Sequence, residues 1–161
     1  MSKTILAIDP GYERSAWVLY QTETRSVVDK RIADNDDFMY WIRHSPEAGQ
    51  VFTIVVEMVA CYGRPVGEEV FETCVLVGRI IEACRSRGHD VRRIKRLAVK
   101  MAICHDSRAK DANIRQALID MFGPGREKAI GTKAKPGPLY GLKADIWQAL
   151  ALAVTAAEKT E

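Results

Sequence analysis

The chain has 161 residues, 47% of them hydrophobic and 28% charged, with a formal net charge of +3. This is the make-up of one globular domain spanning 1–161, large enough to bury about two thirds of its unfolded surface. No apolar run approaches the roughly 18 residues of a membrane span and the N-terminus carries no secretory signal, so a cytoplasmic protein without membrane contact is expected.

Residues 4–9, T-I-L-A-I-D, read as a first strand, a short apolar run that stops at Asp9 before Pro10-Gly11. Read alone, Asp9 starts a turn; at the end of a buried strand it also stands where α/β sheets bind ligands and metals. Residues 15–21 and 26–32 follow as strands across short polar turns, which predicts an antiparallel meander. Phe38, Trp41 and Ile42 recur at helical spacing within 34–45, after Asp34 or Asn35 as cap. Residues 51–57, V-F-T-I-V-V-E, are again an apolar run ending in one carboxylate, Glu57, and apolar character on both faces predicts an interior strand.

Gly63-Arg64-Pro65 breaks the chain before a helix over 68–87, whose Val70, Cys74, Val77, Ile81 and Cys84 mark a buried stripe. A short strand at 91–94 and helices at 96–103 and 111–122 come next. Residues 123–141 read as a Gly, Pro and Lys rich loop, too polar to bury and long enough to be functional or mobile. The last helix is expected over 143–158, with one apolar face on the sheet and Asp145 in its first turn, a place the helix dipole favours for any acidic residue. Cys61, Cys74, Cys84 and Cys104 form no CxxC pair and read as reduced thiols in apolar surroundings; the three histidines are scattered.

Charge is segregated along the chain. Residues 1–84 hold 8 basic and 13 acidic side chains, whereas residues 85–143 hold 15 basic and 5 acidic ones. A basic block is often a solvated face, but beside clustered carboxylates it would draw a polyanion such as nucleic acid. Lys133, Lys135 and Lys143 are the candidate phosphate contacts of its C-terminal part.

The order β-β-β-α-β-α-β-α, with carboxylates ending the first and fourth strands and opening the last helix, predicts one cluster. Asp9 and Glu57 lie side by side if their strands are neighbours. Such a cluster needs cations, and oxygen ligands suit Mg²⁺ or Mn²⁺. Two such ions about 3.5–4 Å apart are a known arrangement for phosphodiester hydrolysis.

The segments I-L-A-I-D-P-G, V-V-E and D-I-W-Q-A-L-A-L-A resemble motifs of the RuvC family of Holliday junction resolvases, in a bacteriophage-like branch, within the ribonuclease H-like fold. The likeness covers nearly the whole chain. It implies an α/β architecture with a central mixed five-stranded sheet flanked by helices, and a homodimer that cuts four-way DNA junctions with two divalent ions per site. By the same resemblance Asp9, Glu57 and Asp145 are catalytic carboxylates, and Asp9, Glu57, Asp145 and Gln148 are the metal-binding set. Gln148 departs from the pattern, because that position usually carries a second metal-liganding residue and a neutral amide lowers the charge of the site.

V-K-M-A-I-C-H-D-S-R-A-K resembles the family stretch with two functional lysines, which places them on Lys100 and Lys110. Lys110 is counted with the catalytic residues and both with the DNA contacts. The family's wedge aromatic corresponds to Ala60, so Tyr62 is the candidate for stacking on a base, or else a loop anchor in the core. Arg64, in the same turn, joins the DNA-facing cations. Gly78 inside an apolar helix costs about 1 kcal/mol relative to Ala, which close helix approach explains, either between subunits or onto the sheet. Two other classes compete: a branched-DNA-binding module with a weakened site, suggested by Gln148, and an actin-like ATPase or sugar kinase, which needs two such domains.

Overall fold

The computed structural model describes residues 4–46 and 53–159. Five strands form one sheet: β1 (Thr4–Asp9), β2 (Arg14–Gln21), β3 (Ser26–Asp34), β4 (Thr53–Met58) and β5 (Val91–Lys95), in the order β3-β2-β1-β4-β5. The meander β1-β2-β3 is antiparallel, and β4 and β5 run parallel to β1, so the mixed five-stranded sheet is present. β1 is the middle strand and β4 lies inside the sheet beside it. Residues 51 and 52 of the expected fourth strand lie outside the described residues. β3 continues two residues beyond the expected 26–32, because Ala33 and Asp34 stay paired with Ser15 and Arg14.

The helices are α1 (Asn35–His44), α2 (Glu68–Arg85), α3 (Arg96–Cys104), α4 (Asp111–Phe122), the short α5 (Arg126–Ala129) and α6 (Ile146–Glu158). Strand alternation sorts the core into two layers. Leu6, Ile8, Trp17, Ile54 and Val56 face α1 and α2, where Trp41 of α1 stacks on Trp17 with ring centroids 4.2 Å apart. Arg87 ties these two helices together by donating to the Ile42 and Ser45 carbonyls at 2.8 and 2.9 Å, which satisfies groups left open at the end of α1. Ile5, Ala7, Ala16, Val18 and Val55 face the other way, onto α3, α4 and α6.

α6 is buried along almost its whole length and on all sides, from Ile146 to Ala156. The expected single apolar face understates this, because the alanines of A-L-A-L-A-V let the helix press on β1 and β2 while α3 and α4 cover its back. The segment 123–141 also differs from its expectation as a loop too polar to bury. Ala129 and Leu139 are fully buried in it, and Leu139 N–H donates to the Ala129 carbonyl at 2.8 Å. Gly137 N–H closes the same turn on the Ile130 carbonyl at 2.9 Å. Among the described residues no helix is long and apolar enough to cross a membrane.

Candidate active site

The parity that builds the core also builds the site. Ala7 and Val55 point to the α6 layer, so two residues later Asp9 and Glu57 point there too. Ile8 pairs with Val56 in the parallel register, and Asp9 and Glu57 follow directly at adjacent strand ends. The turn after Asp9 is fixed by close contacts: a Cβ at Gly11 would collide with the Arg14 carbonyl oxygen. Asn35 pins the same turn by donating to the Gly11 and Tyr12 carbonyls at 3.0 and 2.9 Å, while Ser15 donates to Asn35 Oδ1 at 2.7 Å. Asp9 is thereby held on a rigid platform.

Asp145 reaches this end of the sheet from the N-terminus of α6. The helix begins at Ile146, later than the expected 143, and Asp145 is its N-cap residue, reached through Ala144 at a left-handed φ of 45°. Its carboxylate makes no capping hydrogen bond, so the helix does not consume it. Gln148, one turn on, is buried, and its Oε1 has no hydrogen-bond partner.

Arg96 and Asp111 complete the cluster, and sequence reasoning missed both. Arg96 is the first residue of α3, directly after β5, and its Nη1 lies 3.4 Å from Glu57 Oε1. Its Nη2 donates to Oδ1 of Asp111, the first residue of α4. Glu57 Oε2 is buried without a partner. Arg96 was one cation among fifteen in its segment, and Asp111 entered only as the first position of the helix expected at 111–122. The available signal was the buried carboxylate pair itself, which requires a counter-charge but does not name it.

Electrostatics follow from this geometry. Burial, then the charges of Glu57 and Asp145, push the Asp9 carboxyl up to about 8. Burial also raises Glu57, against the pull of Arg96. Burial lowers Arg96, but Glu57, Asp111 and Asp9 outweigh it and raise the guanidinium further. Among the described residues no three His, Cys, Asp or Glu side chains already stand at metal-binding spacing. The donor set nonetheless fits a hard divalent cation: the carboxylates and the Gln148 amide offer oxygen, Glu57 Oε2 and Gln148 Oε1 are buried and unpartnered, and burial with the neighbouring carboxylates raises Asp9, a cost that a cation would offset.

An open cleft adjoins the cluster, lined by Tyr62, Arg64, Arg96 and Lys100 with Ala60, Cys61, Leu97 and Ser107. Tyr62 is 58% exposed, so it is not a core anchor. It sits at a left-handed φ of 49°, in a turn continued by Gly63 at 78°. Lys110 is exposed at the N-cap of α4, next to Asp111, where its N–H donates to Asn113 Oδ1 at 2.9 Å. Lys143 is exposed two residues before Asp145. Lys133 and Lys135 are exposed around the Gly131–Pro136 bridge, and Lys135 lines a separate open groove with Arg126, Glu127, Ile130, Gly131 and Thr132. Of the cysteines, Cys84 is buried and Cys61 exposed; all four are free thiols.

No protein-family model matches the chain, and no curated protein matches it. Solved structures do. Thermus thermophilus RuvC in complex with a Holliday junction substrate superposes with a TM-score of 0.72 at 14% identity, over 98% of this chain and 94% of that one. A second Thermus thermophilus RuvC structure gives 0.66 at 14% identity, over 98% and 95%. The chain has the ribonuclease H-like fold of RuvC, a mixed five-stranded sheet flanked by helices.

Proposed function

We propose that this protein is a metal-dependent endonuclease that hydrolyses phosphodiester bonds in branched DNA, with the four-way junction as its principal substrate. The observation that carries this reading is the placement of Asp9 and Glu57 at adjacent strand ends on the α6 face, next to a cleft lined by Arg64, Arg96 and Lys100. Two partly buried carboxyl groups side by side, both titrating above their ordinary values, are costly in a fold that has no use for them. The RuvC structure of the same fold was solved with a Holliday junction.

Asp9, Glu57 and Asp145 would hold Mg²⁺ or Mn²⁺, with the Gln148 amide as a neutral oxygen ligand. When bound, the divalent cation supplies Lewis acidity to the phosphate and lowers the pKa of water. The chain's own residues bind and orient the strand. Arg64 and Lys100 take phosphates along the cleft, Lys110 neutralises charge that develops on the phosphoryl oxygens, and Tyr62 offers a ring to an unstacked base. Lys133, Lys135 and Lys143 extend the basic surface toward a junction arm.

A second copy is expected to dock on α2. Phe71 and Val75 are 62% and 58% exposed on one stripe, and Gly78 continues it with open space where a side chain would stand. Gly78 therefore does not serve helix-on-sheet packing within one subunit, and an exposed apolar stripe of this kind suits a symmetric contact.

The test is incubation of the purified protein with labelled four-way junction, flap, duplex and single-stranded DNA in Mg²⁺ or Mn²⁺. Cleavage of the junction in preference to duplex is the expected result. Tight junction binding without cleavage in either metal would favour the DNA-binding module, the reading that the neutral Gln148 supports.

A further inference from the structure

Asp9, Glu57, Asp145 and Asp111 bring four carboxylates within electrostatic reach of one another. Arg96 answers them from within the protein. Arg96 contacts Glu57 and Asp111 with two different nitrogens, and the same residue lines the open cleft with Tyr62, Arg64 and Lys100. It belongs to both the acidic cluster and the basic cleft. The sheet fixes its place, because β5 pairs Ile94 with Glu57 and Lys95 with Met58, and Arg96 follows immediately. Gln148, three residues after Asp145 on α6, has a buried, unpartnered Oε1, and by the resemblance it stands where a second metal-liganding residue is expected. By the resemblance a neutral amide thus replaces an anionic ligand, and the cluster already holds a fixed cation in Arg96.

We infer that Arg96 is the permanent second positive charge of this site. Its guanidinium contacts the scissile phosphate, and a single divalent ion completes the charge that two ions would otherwise supply. This rests on the nuclease reading above and deepens it. Arg96 suits the task because it stays charged at any working pH and carries five N–H donors, two of which the carboxylates engage, leaving others for phosphate oxygens. Asp111 is then a positioning residue that keeps the guanidinium at the mouth of the cleft.

In the hydrolysis, a water oxygen bonds to phosphorus as the bond from phosphorus to the leaving strand breaks. One water proton ends on the departing oxygen; the other stays with the new phosphate monoester until that group ionises. Negative charge that builds on the phosphoryl oxygens during this exchange is what Arg96 stabilises.

Two measurements on the full-length chain test this: calorimetric titration with Mn²⁺ in the absence of DNA, and junction cleavage kinetics. The wild type should bind one ion per chain. Arg96→Gln should bind Mn²⁺ more tightly, since Glu57 is freed of a competing partner, while kcat falls by about 100-fold with little change in KM. Arg96→Lys should keep part of the rate, because the charge remains and the planar fork does not. An arginine that merely braced the fold would give the opposite sign, with weaker Mn²⁺ binding in Arg96→Gln. That result, two ions per wild-type chain, or an undiminished kcat in Arg96→Gln would each overturn the inference while leaving the nuclease reading in place. A wild type that binds Mn²⁺ and cuts no DNA overturns the nuclease reading, and the inference falls with it.

Discussion

Asp9 and Glu57 stand one position beyond Ile8 and Val56, the last pair that β1 and β4 make with each other, on the same face of two parallel strands. No flexible segment separates them from the sheet, so their spacing is a property of the core. Asp9→Asn or Glu57→Gln should therefore remove cleavage, by at least about 100-fold, through loss of a metal-holding oxygen. Junction binding in chelator should survive both changes. Undiminished turnover in either variant would end the assignment.

The raised Asp9 carboxyl makes a prediction about pH. Its folded value is about 8 against 3.8 for the free side chain. Between these values the unfolded chain binds fewer protons than the folded one, so stability present below about pH 4 is lost as pH rises toward about 8. Asp9→Asn escapes this decline. In thermal melts with chelator it should exceed the wild type by on the order of 5 °C at pH 8, and the gap should close near pH 4. A gap that does not change with pH would rule out Asp9 as its origin.

Gln148 offers a separate handle on the metal. Gln148→Asp adds a hard anionic oxygen one turn from Asp145, so affinity for Mg²⁺ should rise and any preference for Mn²⁺ should shrink. Asp145→Asn should weaken binding of both ions. If direct titration finds both variants equal to the wild type, α6 carries no ligand.

Salt dependence distinguishes the two basic surfaces. Charge-neutralising Arg64 or Lys100 in the cleft should flatten the dependence of junction affinity on salt by about 0.7–0.9 log units for each phosphate no longer neutralised. Lys133→Gln with Lys135→Gln should do so only for junctions whose arms extend past the cleft, since Lys135 lines a different groove. Equal slopes for long and short arms would make that groove a solvated surface.

The α2 stripe predicts assembly. Phe71→Asp, at a residue 62% exposed, should leave the fold intact and shift the sedimentation of a dimer to that of a monomer. A wild type that sediments as a monomer at micromolar concentration would remove the stripe as a self-docking surface.

The two strand-end carboxylates were legible because T-I-L-A-I-D and T-I-V-V-E each stop an apolar run at a charged residue, and strand parity carries the charge to a defined face. The meander was legible from its short turns. What escaped were contacts between elements with no shared period. Arg96 and Asp111 open two different helices, and only the packing of α3 beside α4 brings one to the other. Ala129 and Leu139 anchor 123–141 to the core, yet two apolar residues in a polar segment have no repeat to betray them. Asp145 was expected inside the first turn of the last helix and is instead its N-cap residue, because the turn at Ala144 delays the helix to Ile146.

α6 has a consequence for how the protein is made. The strands that carry Asp9 and Glu57 are in the first half of the chain, and the meander needs only local contacts, which form early. Asp145 arrives with the helix that closes the longest loop in the fold, when α6 docks on β1 and β2. During synthesis the ribosome releases the N-terminal strands first. A nascent chain thus carries two of the three carboxylates and a partly covered sheet, and the carboxylate set is complete only when the last helix is in place. Synthesis from the N-terminus thus delivers Asp145 only after the sheet that carries Asp9 and Glu57.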